Sequence, residues 1–185
     1  MRTKTFLLTR ITDLLMHSPS GMKSSGEPKT IATKSIPTPE VEAAAGRYVT
    51  QDGYFWIPTQ GIKNCMVSGA AGRRIGKRAA TSVLKGTVFP LEDETIVLDQ
   101  KTLKPMKADR YTVDMRRVTV DKKGIIRSRP RVTDWAAKVV FELDDMIPDD
   151  IVVECLNMGG RTIGILDYRP EKSGSFGRFK AELVK

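Results

Sequence analysis

The sequence predicts an α+β domain, because two kinds of apolar spacing alternate along the chain. Several stretches alternate apolar and polar residues with the period of two that is typical of half-buried strands. Two others, after Pro58 and after Pro148, repeat apolar residues at the spacing of one helix face. In chain order the elements run β-α-β…β-α-β, with basic β-hairpins inserted between the halves. This order is typical of the split βαβ, or ferredoxin-like, core.

A chain of 185 residues is long enough for a single domain with a substantial core. Its longest apolar runs are far shorter than a membrane span, so we expect no membrane partner. The apolar N-terminal run is interrupted by Arg10 and Asp13, which argues against a signal peptide and favours a cytoplasmic protein. Cys65 and Cys155 lie far apart in apolar patterns, which favours buried free thiols. With one histidine, His17, and no paired cysteines, we expect no metal site and no cofactor.

The first strand is predicted at residues 3–12, with Phe6 and Leu8 on one face. Residues 19–45 are rich in Ser, Gly, Pro, Thr and Lys and lack apolar periodicity. This composition predicts a flexible arm inserted early in the domain, which contacts a neighbouring subunit or clamps a bound strand. Residues 47–57 return to extended chain.

A helical region is predicted from residue 59 to residue 85, with a break near Gly72 because glycine weakens helices. Its second part carries basic side chains whose spacing gathers them on one side of a turn or helix, opposite an apolar side. These basic residues are Arg73, Arg74, Lys77 and Arg78. A strongly basic face of this kind suits a polyanion.

Two strands rich in arginine are predicted at residues 110–120 and 125–133. Arg127, Arg129 and Arg131 are spaced by two, which places them on one face of an extended chain. Three guanidinium groups in a row repel each other unless an anion lies beside them. The alternative interpretation is a solvated edge strand whose charges prevent aggregation.

The C-terminal part is predicted to add a strand at residues 135–143, a helix, and a final strand at 178–184. The tryptophan that opens the first of these strands is expected in the core. The helix begins after Pro148 with two aspartates, which suit the positive end of the helix dipole. Gly159 and Gly160 are expected to end it.

The positive charge is concentrated in the middle of the chain. Residues 60–131 hold 17 Lys or Arg against 7 Asp or Glu, a net charge of +10. The flanking parts carry +2 for residues 1–59 and −3 for residues 132–185, for a total of +9. A local basic excess is the electrostatic footprint expected of a nucleic-acid-binding surface.

Three segments resemble landmarks of the CRISPR-associated RAMP superfamily. TKTFLLTRITDLLMHS resembles its first strand, WIPTQGIKNCMVSGAAGR the segment that starts its first helix, and YRPEKSGSFGRFKAEL its Gly-rich loop before the final strand. They lie in the family's order and span most of the chain. Because the chain is short for a CRISPR backbone subunit, it looks more like the small RAMP-like proteins carried by bacteriophages.

The resemblance implies a ferredoxin-like, RRM-related core that binds single-stranded nucleic acid. We therefore expect a non-catalytic, sequence-independent protein that coats single-stranded DNA in phage replication or recombination, as a homo-oligomer or filament in the cytoplasm of a bacterial host. One alternative is a backbone subunit of an RNA-guided CRISPR-type ribonucleoprotein complex that binds guide RNA. The other is an RNA-processing endoribonuclease with His17 as general base, as in some relatives. No linear motif separates DNA from RNA binding.

Phosphate contacts are expected from basic residues of the helical region, the hairpin and the Gly-rich loop. These residues are Lys63, Arg73, Arg74, Lys77, Arg78, Arg116, Arg117, Arg127, Arg129, Arg131 and Arg178. Single-strand binding also uses aromatic rings on which bases stack. The candidates are Phe55, Trp56, Tyr111 and Phe176, each of them equally suited to the core.

Overall fold

The computed structural model describes residues 1–19, 37–120 and 123–184. These residues form a mixed α+β fold with antiparallel sheets, which confirms the predicted class at this level. The four helices of the described ranges are α1 (Pro39–Ala45), α2 (Thr59–Gly69), α3 (Ala80–Thr87) and α4 (Asp149–Thr162). None of them has the length and apolar character needed to cross a membrane.

The strands of the described ranges fall into three antiparallel sheets. In chain order they are β1 (Arg2–Arg10), β2 (Leu14–Leu15), β3 (Trp56–Pro58), β4 (Arg74–Ile75), β5 (Arg78–Ala79), β6 (Val88–Pro90), β7 (Glu94–Asp99), β8 (Thr112–Val120), β9 (Lys123–Val132), β10 (Trp135–Leu143) and β11 (Phe179–Leu183). The main sheet has the order β11-β1-β10-β7-β3, and β6 pairs with β10. The second sheet has the order β2-β9-β8, and β4 pairs with β5 alone.

One face of the main sheet builds the hydrophobic core. Phe6 lies opposite Val139 and Leu8 opposite Ala137, and all four side chains are buried. The predicted common face of Phe6 and Leu8 is therefore confirmed. Apolar side chains of α2 and α4 belong to the same core, as does Trp135, which is fully buried as expected.

α2 and α4 approach each other so closely that their contact requires glycine. A Cβ atom on Gly69 would lie 2.5 Å from the carbonyl oxygen of Cys155 and 2.7 Å from the Cα of Gly159. A Cβ atom on Gly159 would lie 2.8 Å from the carbonyl carbon of Cys65. These neighbours are backbone atoms, so neither helix can accept a side chain here without moving.

The expected end of the last helix at Gly159 and Gly160 is wrong, because α4 continues to Thr162. Both glycines serve close packing instead of termination. A Cβ atom on Gly160 would lie 2.8 Å from the ring of Phe179 on β11. Glycine at a helix end and glycine at a close contact look alike in a sequence.

The outer edge of β11 is covered by one side chain of α4. The Asn157 amide nitrogen donates to the carbonyl oxygen of Ala181 at 2.8 Å. The N–H of Ala181 donates to the Asn157 amide oxygen at 3.0 Å. The carboxamide thus satisfies both backbone groups that Ala181 turns away from β1, as a neighbouring strand would.

Part of the predicted flexible arm, residues 19–45, is a packed helix. Residues 39–45 form α1, where the Val41 N–H is capped by the Thr38 hydroxyl and Ala43 is buried. The Pro-Glu start and the alanine run account for this helix. Residues 20–36 of the arm lie outside the described residues.

Candidate nucleic-acid interface

The basic residues after α2 do not form the predicted basic helix. Gly72 and Gly76 take left-handed φ angles of 78° and 58°, which break the helix and turn the chain into the short β4–β5 hairpin. The break near Gly72 is confirmed. Helical spacing in this stretch is therefore a coincidence of sequence, because both glycines favour turns over helix.

The β4–β5 hairpin presents three exposed cations, Arg74, Lys77 and Arg78. Lys77 and Arg78 make no ion pair with any described residue, whereas Arg73 pairs with Glu154 on α4. Arg74 is exposed and donates to the carbonyl oxygen of Lys77 at 3.1 Å. Lys77 and Arg78 are therefore free to pair with an external anion.

A pocket of about 530 Å³ lies beside these two cations. Besides Lys77 and Arg78, its lining includes the apolar side chains of Ile75, Val83 and Met146. The Met146 residue is 84% exposed, which is unusual for a large apolar side chain. The lining also contains one carboxylate, Asp144, so the surface combines an apolar cavity with a net charge of +1 at its rim.

The β8–β9 hairpin has the predicted arrangement of arginines. Its register places Arg127 opposite Arg116, and Arg131 opposite Thr112, so Arg127, Arg129 and Arg131 share one face. Arg117 is exposed and belongs to the opposite face.

Each arginine of that face already has a carboxylate partner within the chain. Arg127 pairs with Glu42 of α1 at 3.2 Å, Arg129 with Asp167 at 2.8 Å, and Arg131 with Asp13 at 2.6 Å. The repulsion inferred from the sequence is therefore offset internally. An external polyanion is not needed to explain the arginine row, and the hairpin is weaker support for nucleic-acid binding than its spacing indicates.

Arg116 is also held in place by the protein. Its guanidinium forms two hydrogen bonds with Asp114, at 2.6 and 3.0 Å, and lies over the ring of Phe176 at 4.8 Å from the centroid. The hydrogen bonding to Asp114 raises the pKa of Arg116 above its usual range. This side chain therefore contributes a fixed positive charge.

Two further basic candidates are tied to backbone carbonyls. Lys63 is only 8% exposed, and its ammonium donates to the carbonyl oxygen of Lys85 at 3.0 Å. Burial lowers the pKa of Lys63. Because its ammonium already interacts with the C-terminal end of α3, the structure gives little support to the predicted phosphate contact of this residue. Arg178 donates to the carbonyl oxygen of Arg161 at 3.1 Å and keeps partial exposure.

Two of the four stacking candidates lie in the core. Phe55 is fully buried and Phe176 is 6% exposed, so neither presents a face on which a base can stack. Trp56 and Tyr111 are half-buried. Trp56 meets Tyr48 edge to face at 5.0 Å between ring centroids. Trp56 and Tyr111 remain the stacking candidates.

Sequence reasoning missed a pocket of about 550 Å³ between the β8–β9 hairpin and the loop that follows α4. Its lining includes Arg127 and Arg129, and adds His17, Tyr48 and Arg169. The His17 ring nitrogen lies 4.0 Å from Asp167, and burial lowers the pKa of this histidine. No linear motif joins these residues, because they come from four distant parts of the chain.

Cys65 and Cys155 are buried free thiols, as predicted, and burial raises the pKa of Cys65 to about 12. Within the described ranges no group of three or more His, Cys, Asp or Glu side chains is arranged to hold a metal ion. No protein-family model matches the chain, and no curated protein matches its sequence.

Proposed function

We propose that this protein binds single-stranded nucleic acid without sequence preference and without cleaving it. The observation that carries the proposal is the pair of exposed, unpaired cations Lys77 and Arg78 at the rim of an apolar pocket. Phosphates supply most of the affinity in such binding, and bases add contacts with apolar or aromatic surfaces. Lys77 and Arg78 hold phosphates, while the pocket beside Met146 receives an unstacked base.

The strand order supports a finer proposal about the fold. In the main sheet, β11-β1-β10-β7 reads fourth, first, third, second when these four strands are numbered along the chain. α2 lies between the first and second of them, and α4 between the third and fourth. This order matches that of the split βαβ, ferredoxin-like core, and in this proposal β3, β6 and the two hairpins are additions to such a core.

The proposed membership of the RAMP superfamily rests on the positions of its three resembling segments. The first covers β1 from Thr3 onward, the second runs from β3 into α2, and the third ends in β11. These positions are compatible with the proposed core. With that membership we propose that copies of the chain assemble along the bound strand, in phage replication or recombination.

Binding of labelled single-stranded DNA, single-stranded RNA and duplex DNA at two salt concentrations tests the proposal. We expect single strands to bind more tightly than duplex, with affinity that falls as salt rises. Electron microscopy of the mixtures should reveal regular filaments. Absence of binding to every probe would contradict the proposal. Co-purifying RNA of defined length would favour the RNA-guided complex, and RNA cleavage lost in His17→Ala would favour the endoribonuclease.

The double variant Lys77→Ala/Arg78→Ala locates the interface. Each lost phosphate contact lowers the slope of log affinity against log salt by about 0.7 for single strands, so we expect a decrease of about 1.4. Affinity at low salt should fall about tenfold or more. The matched control is Lys138→Ala/Lys180→Ala, which removes two exposed lysines from the outer face of the main sheet. A loss of strand affinity in the control variant alone would indicate that the interface lies on that sheet face and not at the hairpin.

A further inference from the structure

The pocket between the β8–β9 hairpin and the loop after α4 has the size of a small-molecule site. Its volume of about 550 Å³ lies within the range of ligand pockets in proteins. Tyr48, Val118 and Leu166 give it an apolar part, and Arg127, Arg129 and Arg169 give it a basic part. An amphipathic ligand with an anionic end matches this division.

The lining carries more positive than negative charge. Asp167 is the one carboxylate among the described lining residues, against three arginines. The carboxylates that pair with Arg127 and Arg169 are Glu42 and Glu171, and both lie outside the lining. The pocket therefore has a net positive wall, which favours an anion despite Asp167.

Arg129 has a buried donor, Nη1, that neither a hydrogen bond nor an ion pair engages within the described residues. Its side chain is 10% exposed, and in the described residues its Nε and Nη1 make no hydrogen bond. Nε lies 2.8 Å from an oxygen of Asp167, without the alignment of a hydrogen bond. Buried polar groups without partners are costly, and a bound water or ion is a common explanation.

Arg127 has spare donors as well. Among the described residues its one side-chain hydrogen bond runs from Nη1 to Glu42 at 3.2 Å, although a guanidinium offers five N–H donors. Two neighbouring arginines with free donors match the several oxygens of a phosphate group, because their planar forks each bind two oxygens. All three guanidinium nitrogens of Arg169 already donate, to Glu171 and to the Leu166 carbonyl, so we assign this residue to the charge of the wall and not to direct phosphate contact.

We propose that this pocket binds a phosphate monoester carried by a nucleoside, with the phosphate on Arg127 and Arg129 and the nucleoside against Tyr48. The phosphate belongs either to a free mononucleotide or to the terminus of a strand, and both present the same chemistry. The proposal concerns a separate site from the Lys77 and Arg78 rim and does not depend on it.

Titration calorimetry of the full chain tests this site at fixed salt with AMP, adenosine, inorganic phosphate, and a DNA trinucleotide with and without a 5′-phosphate. If the ligand is a free nucleotide, AMP should bind at least tenfold more tightly than adenosine, and inorganic phosphate should compete with AMP. If the ligand is a strand terminus, the phosphorylated trinucleotide should bind at least tenfold more tightly than the trinucleotide without a 5′-phosphate. If neither phosphorylated probe is preferred, the proposal is wrong.

The variant Arg127→Gln should weaken binding of the preferred probe at least tenfold. Its matched control is Arg110→Gln, which removes an exposed arginine paired with Asp99 outside the pocket and should change affinity less than twofold. Equal weakening by both variants would overturn the proposal, because it would indicate attraction by net charge alone. Lys77→Ala/Arg78→Ala should bind AMP with the same affinity as the unmodified chain. A failure of the strand-binding proposal can therefore be distinguished from a failure of the nucleotide-site proposal. Comparing AMP with adenosine requires no variant, so a misfolded Arg127→Gln protein leaves the test intact.

Discussion

Replacing Gly69 with alanine is expected to destabilise the fold by about 3 kcal/mol, the upper part of the range for overpacked cores. The added Cβ would lie 2.5 Å from the Cys155 carbonyl oxygen and 2.7 Å from the Gly159 Cα. Backbone atoms of α4 cannot rotate away as a side chain does, so the two helices must separate. Urea unfolding followed by circular dichroism measures the free energy of unfolding.

Gly61→Ala is the matched control, because Gly61 belongs to the same helix and a Cβ there meets no atom within 4 Å. This substitution should leave stability unchanged or raise it by about 0.5 kcal/mol, since alanine favours helix over glycine. Equal effects of the two substitutions would refute the close helix contact.

Removing the carboxylate of Asp167 is the second substitution with a large expected effect. Asp167→Ala leaves the buried Arg129 guanidinium without the one carboxylate oxygen 2.8 Å from its Nε. Breaking a buried ion pair from one side costs about 3 to 5 kcal/mol, and because Asp167 is partly exposed we expect about 3 kcal/mol. Urea unfolding of the variant and of the unmodified chain measures this difference in the free energy of unfolding.

Glu171→Ala provides the control for Asp167→Ala. Glu171 pairs with Arg169 at 2.5 Å, in the same loop region but at the surface. Exposed ion pairs contribute about 0 to 1 kcal/mol, so the control should be nearly neutral. A cost for Asp167→Ala no greater than that of Glu171→Ala would contradict the assigned burial of Arg129.

Periodicity predicted the parts of the fold in which one face is buried and the other is not. Phe6 and Leu8 share the core face of β1, and α4 begins after Pro148 as its proline and aspartates indicate. Glycine was ambiguous, because it ends helices, forms turns and permits close packing. That ambiguity explains the error at Gly159 and the unpredicted hairpin after Gly72.

The candidate site was predicted less well than the fold, because the residues that interact there lie far apart in the sequence. Spacing placed Arg127, Arg129 and Arg131 on one face, but their carboxylate partners come from α1, from the loop after α4 and from the segment after β1. Pairing across such distances depends on tertiary structure. Which basic residues remain free, Lys77 and Arg78 above all, is therefore not readable from charge patterns.

The Asn157 carboxamide limits how copies of this protein can associate. A free sheet edge offers unpaired N–H and C=O groups to another chain, which leads to uncontrolled aggregation. At Ala181 those groups are already bonded to Asn157. At the opposite edge β3 is three residues long and ends in Pro58, which lacks an N–H. The proposed assembly of copies therefore cannot use main-chain pairing at Ala181, and Pro58 restricts such pairing at the opposite edge of the main sheet.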